Sequence, residues 1–282
     1  MSEGAMAITR KSPDEIEKMR AAGRLVARIL AELSAMCVPR TRTRDFERRS
    51  ADLIEASGAV PLFRNYPHYA GGRPYPATVC VSVNDEVVHG IPGERQVKEG
   101  DLVSFDVGVK IDGYCGDAAV SVPVGQVAPR VARLIEVTRG ALEVAVSTIR
   151  PGIFWSAVAG KMERFVKEAG FSVVTDFVGH GIGTEMHEDP KLQNYVSPEL
   201  LRHDILLETG MTLAVEPMVN MGTHRVKLLP DGWTVVTADR QPSAHFEHTI
   251  AVVEGGADVL TMNGTGPVGS GSGEAQPCRR TP

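Results

Sequence analysis

The stretch of residues 101–122 constrains the fold more than any other part of this sequence. It contains two runs of alternating apolar residues, 102–110 and 114–122, separated by the dipeptide Asp112-Gly113. An Asp-Gly pair between two such runs favours a two-residue hairpin turn, because both turn positions need a positive φ that these residues tolerate. The stretch is therefore predicted to form an antiparallel β-hairpin that turns at Asp112-Gly113.

Two carboxylates, Asp106 and Asp117, lie on the same face of the predicted hairpin. In the register that the turn sets, Asp117 pairs with Gly108 and Asp106 lies one diagonal step away, about 7–8 Å at the backbone. Each buried carboxylate without a partner would cost on the order of several kcal/mol in free energy. A single Asp in a strand usually caps a turn or faces solvent, but this same-face pair predicts a positively charged partner between the two side chains.

Composition and charge exclude several functional classes. The chain has 282 residues, of which 43% are apolar and 23% are charged, which is typical of one large globular domain or two small ones. A net charge of -5 argues against a surface for nucleic acid or for an anionic membrane. The locally basic stretch 40–49 is interpreted as the solvated side of a helix rather than as a contact surface.

The cysteines and the N-terminal sequence predict a cytoplasmic protein. The four cysteines show no C-x-x-C spacing, so we expect reduced thiols. The first residues contain no apolar run of signal-peptide length, and nowhere do eighteen uncharged apolar residues follow one another. We therefore expect neither secretion nor a membrane span.

Four amphipathic helices are predicted, two on each side of the hairpin. Ser12, Pro13 and Glu15 provide an N-cap, a first-turn proline and a capping box, so the first helix starts here. Apolar spacing and stop signals place the four helices at about 13–35, 44–56, 129–150 and 155–169. Strands are predicted around 78–83, 171–178, 211–219, 233–238 and 247–253, and Glu247 is expected to begin the last strand.

An internal repeat predicts how the chain is organised. His89-Gly90-Ile91 recurs as His180-Gly181-Ile182, and a glycine lies six residues before Asp106 and again six residues before Glu216. We therefore expect one domain made of two related α+β halves, 13–125 and 126–262, with Asp106 and Glu216 meeting near their axis. Residues 1–12 are then an N-terminal extension, and residues 263–282, which are poor in apolar side chains, are expected to be a disordered tail.

Three further residues complete a polar set with Asp106 and Asp117. His180 lies in a glycine-rich turn, Glu216 ends a predicted strand and Glu247 alternates with apolar residues, and each of them alone is ordinary. Together the five residues are too negatively charged to be stable alone, and two divalent cations would neutralise them. Two ions about 3.5–4 Å apart bridge a water or hydroxide, which supplies a nucleophile and polarises a carbonyl. These ligand types favour manganese, iron, cobalt or zinc over calcium.

Five motifs resemble those of the type I methionine aminopeptidases, which have the pita-bread fold. The resemblance covers about residues 8–256, and the motifs are N-D-E-V-V-H-G-I-P, D-V-G-V-K-I-D-G-Y-C-G-D, G-H-G-I-G-T-E-M-H-E-D-P, E-P-M-V-N and S-A-H-F-E-H-T. Type II relatives have a long insertion between the residues that match His180 and Glu216, which here lie only 36 positions apart. The resemblance implies an α+β fold with a pseudo-twofold antiparallel sheet backed by helices.

The resemblance also implies how the metal ions are bound. Asp106 and Asp117 would bind one ion, and His180 and Glu216 would complete the site of the second. Asp117 and Glu247 would bridge the two ions. Glu216 would also handle the proton of the attacking water.

Other residues are implied to contact the substrate. His187 would stabilise the tetrahedral oxyanion, and His89 would contact the substrate backbone near the scissile bond. The pocket for the methionine side chain would be lined by Tyr75, Cys80 and Trp233. Residues 64–74 look longer than in the shorter bacterial members of the family.

The implied activity is removal of the initiator methionine from nascent proteins whose second residue is small, by attack of a metal-bridged hydroxide. The partners would be nascent polypeptide N-termini and the ribosome, and we expect a monomer. The first alternative is an X-Pro dipeptidase or aminopeptidase of the same fold, which usually has a large N-terminal domain; we expect no room for one before Ser12. The second is a non-catalytic peptide-binding protein of this fold, which predicts the loss of metal ligands that are all present here.

Overall fold

The structure is a computed structural model that describes residues 8–262 of the chain. Its helices are α1 (Pro13–Ala35), α2 (Thr43–Ala56), α3 (Pro129–Thr148), α4 (Trp155–Glu168) and α5 (Pro198–Arg202). Its strands are β1 (Val60–Pro61), β2 (Cys80–Val83), β3 (Glu86–Val88), β4 (Leu102–Ile111), β5 (Tyr114–Pro123), β6 (Ser172–Val173), β7 (Gly179–Gly181), β8 (Glu188–Leu192), β9 (Thr212–Val215), β10 (Met218–Asn220), β11 (Val226–Leu228), β12 (Val235–Thr237), β13 (Ser243–His245), β14 (His248–Val253) and β15 (Gly256–Val259). The tail expected at 263–282 and the start of the N-terminal extension, 1–7, lie outside the described residues.

The four predicted helices are confirmed, and their bounds differ little from those expected. The capping box of α1 is also confirmed. Ser12 N donates to Glu15 Oε2 at 2.8 Å, and Glu15 N donates to Ser12 Oγ at 3.4 Å. Among residues 8–262, each helix is too short or too polar to cross a lipid bilayer.

β4 and β5 form the predicted hairpin. Its Asp112-Gly113 turn has φ values of 48° and 84°, as a turn with two left-handed positions requires. The pairing places Asp117 opposite Gly108 and Asp106 opposite Ala119. Because side chains alternate between the two faces of a strand, Asp106 and Asp117 project from the same face, as predicted.

The opposite face of the hairpin packs on helices. Phe105, Val107 and Val109 alternate with Asp106 along β4 and are fully buried in a core that α1 and α2 cover. Phe46 of α2 meets Phe105 edge to face, with ring centroids 4.7 Å apart. α3 and α4 cover a second core over β9, β10, β13 and β14. The helices therefore leave the carboxylate face of the hairpin free for a site.

The strands form antiparallel sheets. One sheet has the order β1-β4-β2 with β5 also paired to β4, and another has the order β15-β14-β9-β7-β8. Two smaller sheets have the orders β13-β10-β6 and β11-β12-β3. The pairing of β3 with β12 joins an early strand of the chain to a late one.

A seam of hydrogen bonds joins β5 to residues 245–249, which run from the end of β13 into β14. In its centre Glu247 N donates to Ala119 O at 2.9 Å, and Ala119 N donates to Glu247 O at 3.4 Å. Beside this pair, the Thr249 hydroxyl accepts from Asp117 N at 3.0 Å and donates to Asp117 O at 2.8 Å. The Thr249 side chain thus takes the place of one pair of backbone hydrogen bonds in an ordinary strand pairing.

A similar link lies on the other side of the Glu247–Ala119 pair. Here the hydroxyl comes from β5, and the backbone groups come from residues 245–249. The Ser121 hydroxyl accepts from His245 N at 2.8 Å and donates to His245 O at 2.9 Å. The seam therefore links every second residue of the two segments. It brings Asp117 next to Glu247 although they are far apart in the sequence.

Three strand predictions differ from the structure. The single strand expected at 211–219 is two strands, β9 and β10, because Glu216-Pro217 interrupts the ladder and proline has no N–H to donate. Within 171–178 only β6 is a strand. Glu247 does not begin the last strand: it lies between β13 and β14, where it pairs with Ala119 instead, and β15 follows.

Candidate metal centre and substrate cavity

A cavity of about 430 Å³ opens at the seam. Its walls come from the hairpin, from the loops that follow α2 and β3, and from the strands of the C-terminal part of the chain. All ten residues predicted as metal ligands, catalytic groups or substrate contacts line it, namely Tyr75, Cys80, His89, Asp106, Asp117, His180, His187, Glu216, Trp233 and Glu247.

The hairpin presents Asp106 and Asp117 to this cavity. Asp117 is only 4% exposed. A Cβ atom at Gly108, which lies opposite, would be 3.3 Å from Asp117 Oδ1 and 3.0 Å from Phe63 Cε1. Glycine at this position therefore leaves room for the carboxylate to point into the cavity.

His180 presents a ring nitrogen without a proton. Its Nδ1 lies 2.8 Å from Gly181 O, and since a carbonyl oxygen only accepts, Nδ1 carries the proton. Nε2 then has a free lone pair and lies 3.5 Å from Glu216 Oε1. A neutral imidazole whose tautomer is fixed by a backbone carbonyl is typical of a metal ligand.

Glu216 and Glu247 complete the polar part of the cavity. Glu216 lies in the interruption between β9 and β10, where Asn194 Nδ2 donates to its carbonyl oxygen at 3.1 Å. Glu247 lies at the centre of the seam and is 2% exposed. One ligand atom each from Asp117, His180 and Glu247 lie within 4.8 Å of one another.

Three of these carboxylates have a buried oxygen without a hydrogen-bond partner in residues 8–262. They are Asp106 Oδ1, Asp117 Oδ1 and Glu247 Oε1. Buried polar atoms are nearly always paired, and an unpaired carboxylate is among the most costly exceptions. Carboxylate oxygens that converge with an imidazole nitrogen are the donors that divalent transition metals accept. The residues present therefore fit a divalent metal centre.

The electrostatics of the polar part agree with this fit. Burial, followed by the charges of neighbouring carboxylates, raises the pKa of Asp106, Glu216 and Glu247 well above the ordinary range. Burial also raises the pKa of Asp117 to about 7 and lowers the pKa of His180 to about 3. Without a cation, the cluster keeps protons on carboxylates at neutral pH. A bound cation would take the place of those protons.

His187 lies beside His180 at the solvent-exposed edge of the cavity. The two ring centroids are 4.4 Å apart, and the rings meet at 70°. Glu188 anchors this loop, because its carboxylate accepts from Lys11 Nζ at 2.6 Å in a nearly buried ion pair. Desolvation by the surrounding walls lowers the pKa of His187, so its ring is neutral at neutral pH.

His89 follows β3 in a left-handed conformation, with a φ of 59°. Few residues other than glycine adopt this conformation, and it turns the chain so that the ring lines the cavity. The ring meets Phe177 and Trp233 edge to face, at centroid distances of 5.5 and 6.4 Å. Burial lowers the pKa of His89 to about 4.

An apolar pocket adjoins the polar part. Tyr75 is 2% exposed, its hydroxyl donates to Gly90 O at 2.8 Å, and its ring lies 5.3 Å from the ring of Trp233. Cys80 pairs with Asp106 across β2 and β4, so the pocket and the carboxylates share one strand pair. The pocket is lined by Phe63, Tyr66, Tyr75, Cys80, Met186 and Trp233.

The structure adds two residues that the sequence did not single out, His245 and Tyr66. His245 is 2% exposed, and its Nε2 has no hydrogen-bond partner in the described part of the chain and lies 3.7 Å from Glu216 Oε2. Its signal was its position two residues before Glu247, since residues two apart in extended chain share a face. Tyr66 lies in a loop without periodicity, so no sequence pattern marked it.

The chain matches metallopeptidase family M24 over residues 17–254. Among similar proteins, methionine aminopeptidase 1 of Bacillus subtilis is 43% identical over 251 residues, which covers 89% of this chain and 98% of the relative. The methionine aminopeptidase of Escherichia coli strain K12 is 39% identical over 259 residues, or 91% of this chain and 95% of the relative.

Solved structures confirm the pita-bread fold. The crystal structure of methionine aminopeptidase from Thermotoga maritima superposes with a TM-score of 0.85 at 45% identity, covering 91% of this chain and 100% of that chain. The prolidase from Pyrococcus furiosus superposes with a TM-score of 0.71 at 20% identity, over 92% of this chain and 66% of that chain. At that identity the second likeness shows the fold alone.

Proposed function

Because the chain belongs to metallopeptidase family M24, we propose that it is a metal-dependent methionyl aminopeptidase, which removes N-terminal methionine from proteins whose second residue is small. The observation that carries the proposal is the convergence of unpaired buried carboxylates beside an apolar pocket in one cavity. The names of the similar relatives from Bacillus subtilis and Escherichia coli support the same activity.

We propose that two divalent ions are bound by Asp106, Asp117, His180, Glu216 and Glu247. Cobalt, manganese, iron and zinc all suit this mixture of oxygen and nitrogen donors. When bound, the ions supply a water nucleophile at neutral pH and polarise the scissile carbonyl. The unpaired oxygens and the lone pair on His180 Nε2 support this assignment.

The chain's own groups would then orient the peptide and move protons. Glu216 is proposed to accept the proton of the attacking water, as the family resemblance implies, because its carboxylate lines the cavity beside the His180 ring. His187 and His89 are both neutral at neutral pH and line the cavity, so each can donate an N–H to substrate oxygen. His187 is proposed to stabilise the oxyanion and His89 to contact the peptide backbone.

The apolar pocket is proposed to select methionine. Its walls are aromatic rings, the Cys80 thiol and the flexible side chain of Met186, which suit an unbranched thioether side chain. Burial raises the pKa of the Cys80 thiol well above its usual range, so the pocket contains no thiolate charge. A charged or short side chain at the substrate N-terminus would bind poorly there.

We also propose that residues 13–262 form one catalytic domain of two related halves, 13–125 and 126–262. In support, each half begins with two helices that cover a core of antiparallel strands. The substrates would be the N-termini of nascent polypeptides, met in the cytoplasm at or near the ribosome by a monomer. Co-sedimentation with ribosomes and a mass from light scattering test the last two points.

Hydrolysis of tripeptides tests the proposed activity. After reconstitution with manganese or cobalt, the protein is expected to release methionine from Met-Ala-Ser, and a chelator or the substitution Glu216→Ala is expected to abolish the reaction. Met-Leu-Ser, with a large second residue, is the control and is expected to be a poor substrate. Cleavage of X-Pro peptides without cleavage of Met-Ala-Ser would favour a dipeptidase, and failure to bind metal would contradict the site.

A further inference from the structure

Tyr66 contacts His187, one of the four histidines that line the cavity, directly. Its hydroxyl lies 2.7 Å from His187 Nδ1, and the two rings meet edge to face at a centroid distance of 5.5 Å. The phenol can either donate to Nδ1 or accept from it. The two cases leave the imidazole proton on different nitrogens, and so they present different groups to the substrate.

We propose that Tyr66 is a positioning residue, whose hydroxyl donates to His187 Nδ1 and thereby holds His187 in the tautomer with its proton on Nε2. A nitrogen that accepts a hydrogen bond has no proton of its own, so a neutral ring must carry the proton on the other nitrogen. Nε2 is then a donor, which is the role proposed for His187 toward the substrate. Burial raises the pKa of Tyr66, so the phenol keeps the proton that it donates.

The loop that carries Tyr66 is built to hold it in place. Tyr66 and Tyr75 are tied by backbone hydrogen bonds, because Tyr75 N donates to Tyr66 O at 3.0 Å and Asn65 N donates to Tyr75 O at 2.8 Å. Tyr66 N also donates to Phe63 O at 2.9 Å. Both Phe63 and Tyr75 are buried in the apolar pocket. The phenol therefore stands on the same wall that holds the methionine pocket.

The far end of the loop is tied to residues 232 and 233. His68 Nε2 lies 2.9 Å from Gly232 O, and Trp233 Nε1 donates to Arg73 O at 2.9 Å. A loop that is fixed at both ends can position a hydroxyl with the sub-ångström precision that an orienting hydrogen bond needs. His187, by contrast, lies in an exposed loop. Tyr66 thus provides a fixed hydrogen-bond partner for the solvent-exposed ring of His187.

The tautomer itself is measurable in the metal-free protein by nitrogen NMR. The ring nitrogens of His187 are read through their couplings to the carbon-bound ring protons, and the signals are assigned by their absence in His187→Gln. We expect a protonated Nε2 and an unprotonated Nδ1, and we expect Tyr66→Phe to shift His187 toward a mixture of tautomers. A protonated Nδ1 in the unmodified protein, or no change in Tyr66→Phe, overturns the proposal.

Kinetics test the consequence for catalysis, which rests on the proposed function. Tyr66→Phe keeps the ring and removes only the hydroxyl, so we expect kcat for Met-Ala-Ser to fall about tenfold with little change in KM, as loss of one orienting hydrogen bond does. Tyr69→Phe is the matched control: Tyr69 lies in the same loop but is 80% exposed, and its variant is expected to match the unmodified enzyme.

A double substitution shows whether Tyr66 acts through His187. If it does, Tyr66→Phe lowers kcat in the unmodified enzyme but has no further effect in His187→Gln. An equal loss in both backgrounds, or a loss confined to KM, overturns the positioning role. An inactive protein whose His187 still has the expected tautomer would contradict the proposed function and leave the tautomer assignment intact.

Discussion

Glu247 and Ala119 exchange two backbone hydrogen bonds across the seam between β5 and residues 245–249. This pair fixes one of the two carboxylates that the family resemblance assigns to both metal ions. The hydroxyl links of Thr249 and Ser121 lie on either side of it. The position of Glu247 therefore depends on contacts outside the metal centre, and those contacts can be tested separately.

Thr249→Val is expected to destabilise the protein by about 2–4 kcal/mol, because it leaves the buried N–H and C=O of Asp117 without their partner. The shape of the side chain is kept, so the loss is one of hydrogen bonds. Denaturant unfolding of the metal-free protein measures it. Thr249→Ser, which keeps the hydroxyl, is the control and should stay close to the unmodified protein. Equal stability of the valine variant would contradict the importance of the seam.

Metal affinity is expected to rise with pH. The pKa of Asp117 is raised to about 7, and those of Asp106 and Glu216 are raised well above their ordinary range, so these carboxylates become protonated as the pH falls. A cation must then displace protons, which weakens binding at low pH and releases protons on binding. His180 has the opposite shift, to about 3, and stays neutral throughout the range.

Calorimetry in buffers of different ionisation enthalpy counts the released protons. We expect manganese binding to tighten between about pH 5.5 and 8, with fewer protons released at the upper end. Asp117→Asn removes one titrating carboxylate and is expected to release fewer protons as well as to bind more weakly. Affinity that does not vary with pH would show that the carboxylates are already ionised in the metal-free protein.

Gly108→Ala is expected to weaken metal binding by about tenfold or more, because the new methyl group would lie 3.3 Å from Asp117 Oδ1 and push the carboxylate aside. The same substitution at Gly113 is the control. That residue has a φ of 84° and open space around it, so Gly113→Ala strains the turn, by about 1 kcal/mol, without touching the site. Titration with manganese and unfolding curves together separate the two effects.

His245→Ala is expected to lower metal affinity by about tenfold, since the imidazole packs 3.7 Å from Glu216 Oε2 and its removal leaves a space into which that carboxylate can move. His245→Gln, which keeps a polar side chain of similar length beside Glu216, should retain most of the affinity. His248→Gln serves as a second control, because His248 contacts Thr261 instead of the cavity. Equal affinity in His245→Ala would show that His245 does not support the centre.

The sequence was sufficient for the features that local rules govern. The Asp112-Gly113 turn set the register of β4 and β5, and that register alone put Asp106 and Asp117 on one face. Ser12 and Glu15 fixed the start of α1 in the same way. In each case the determining residues are close together in the chain, so interactions within a short segment of sequence select the structure.

Features that depend on distant contacts were missed. Glu247 leaves the strand ladder because it pairs with Ala119, more than a hundred positions earlier, and no local pattern signals that partner. Tyr66 reaches His187 only because its loop is tied to Tyr75 and Gly232. The position of His245, two residues before Glu247, indicated that both share a face, but a lone buried histidine is usually a core residue, so His245 was not singled out.

The seam has a consequence for the stage of folding at which the protein becomes able to bind metal. A growing chain that has completed β5 has Asp106 and Asp117 but still lacks the other three proposed ligands, His180, Glu216 and Glu247, so it would offer an ion only part of the proposed coordination sphere. Capture of metal must then wait until residue 247 has docked on Ala119. By mass action, ions that bind only this closed arrangement stabilise it against reopening. The bound ions would stabilise the folded protein in addition to taking part in catalysis. The metal content of a sample would then indicate how much of the protein has completed folding.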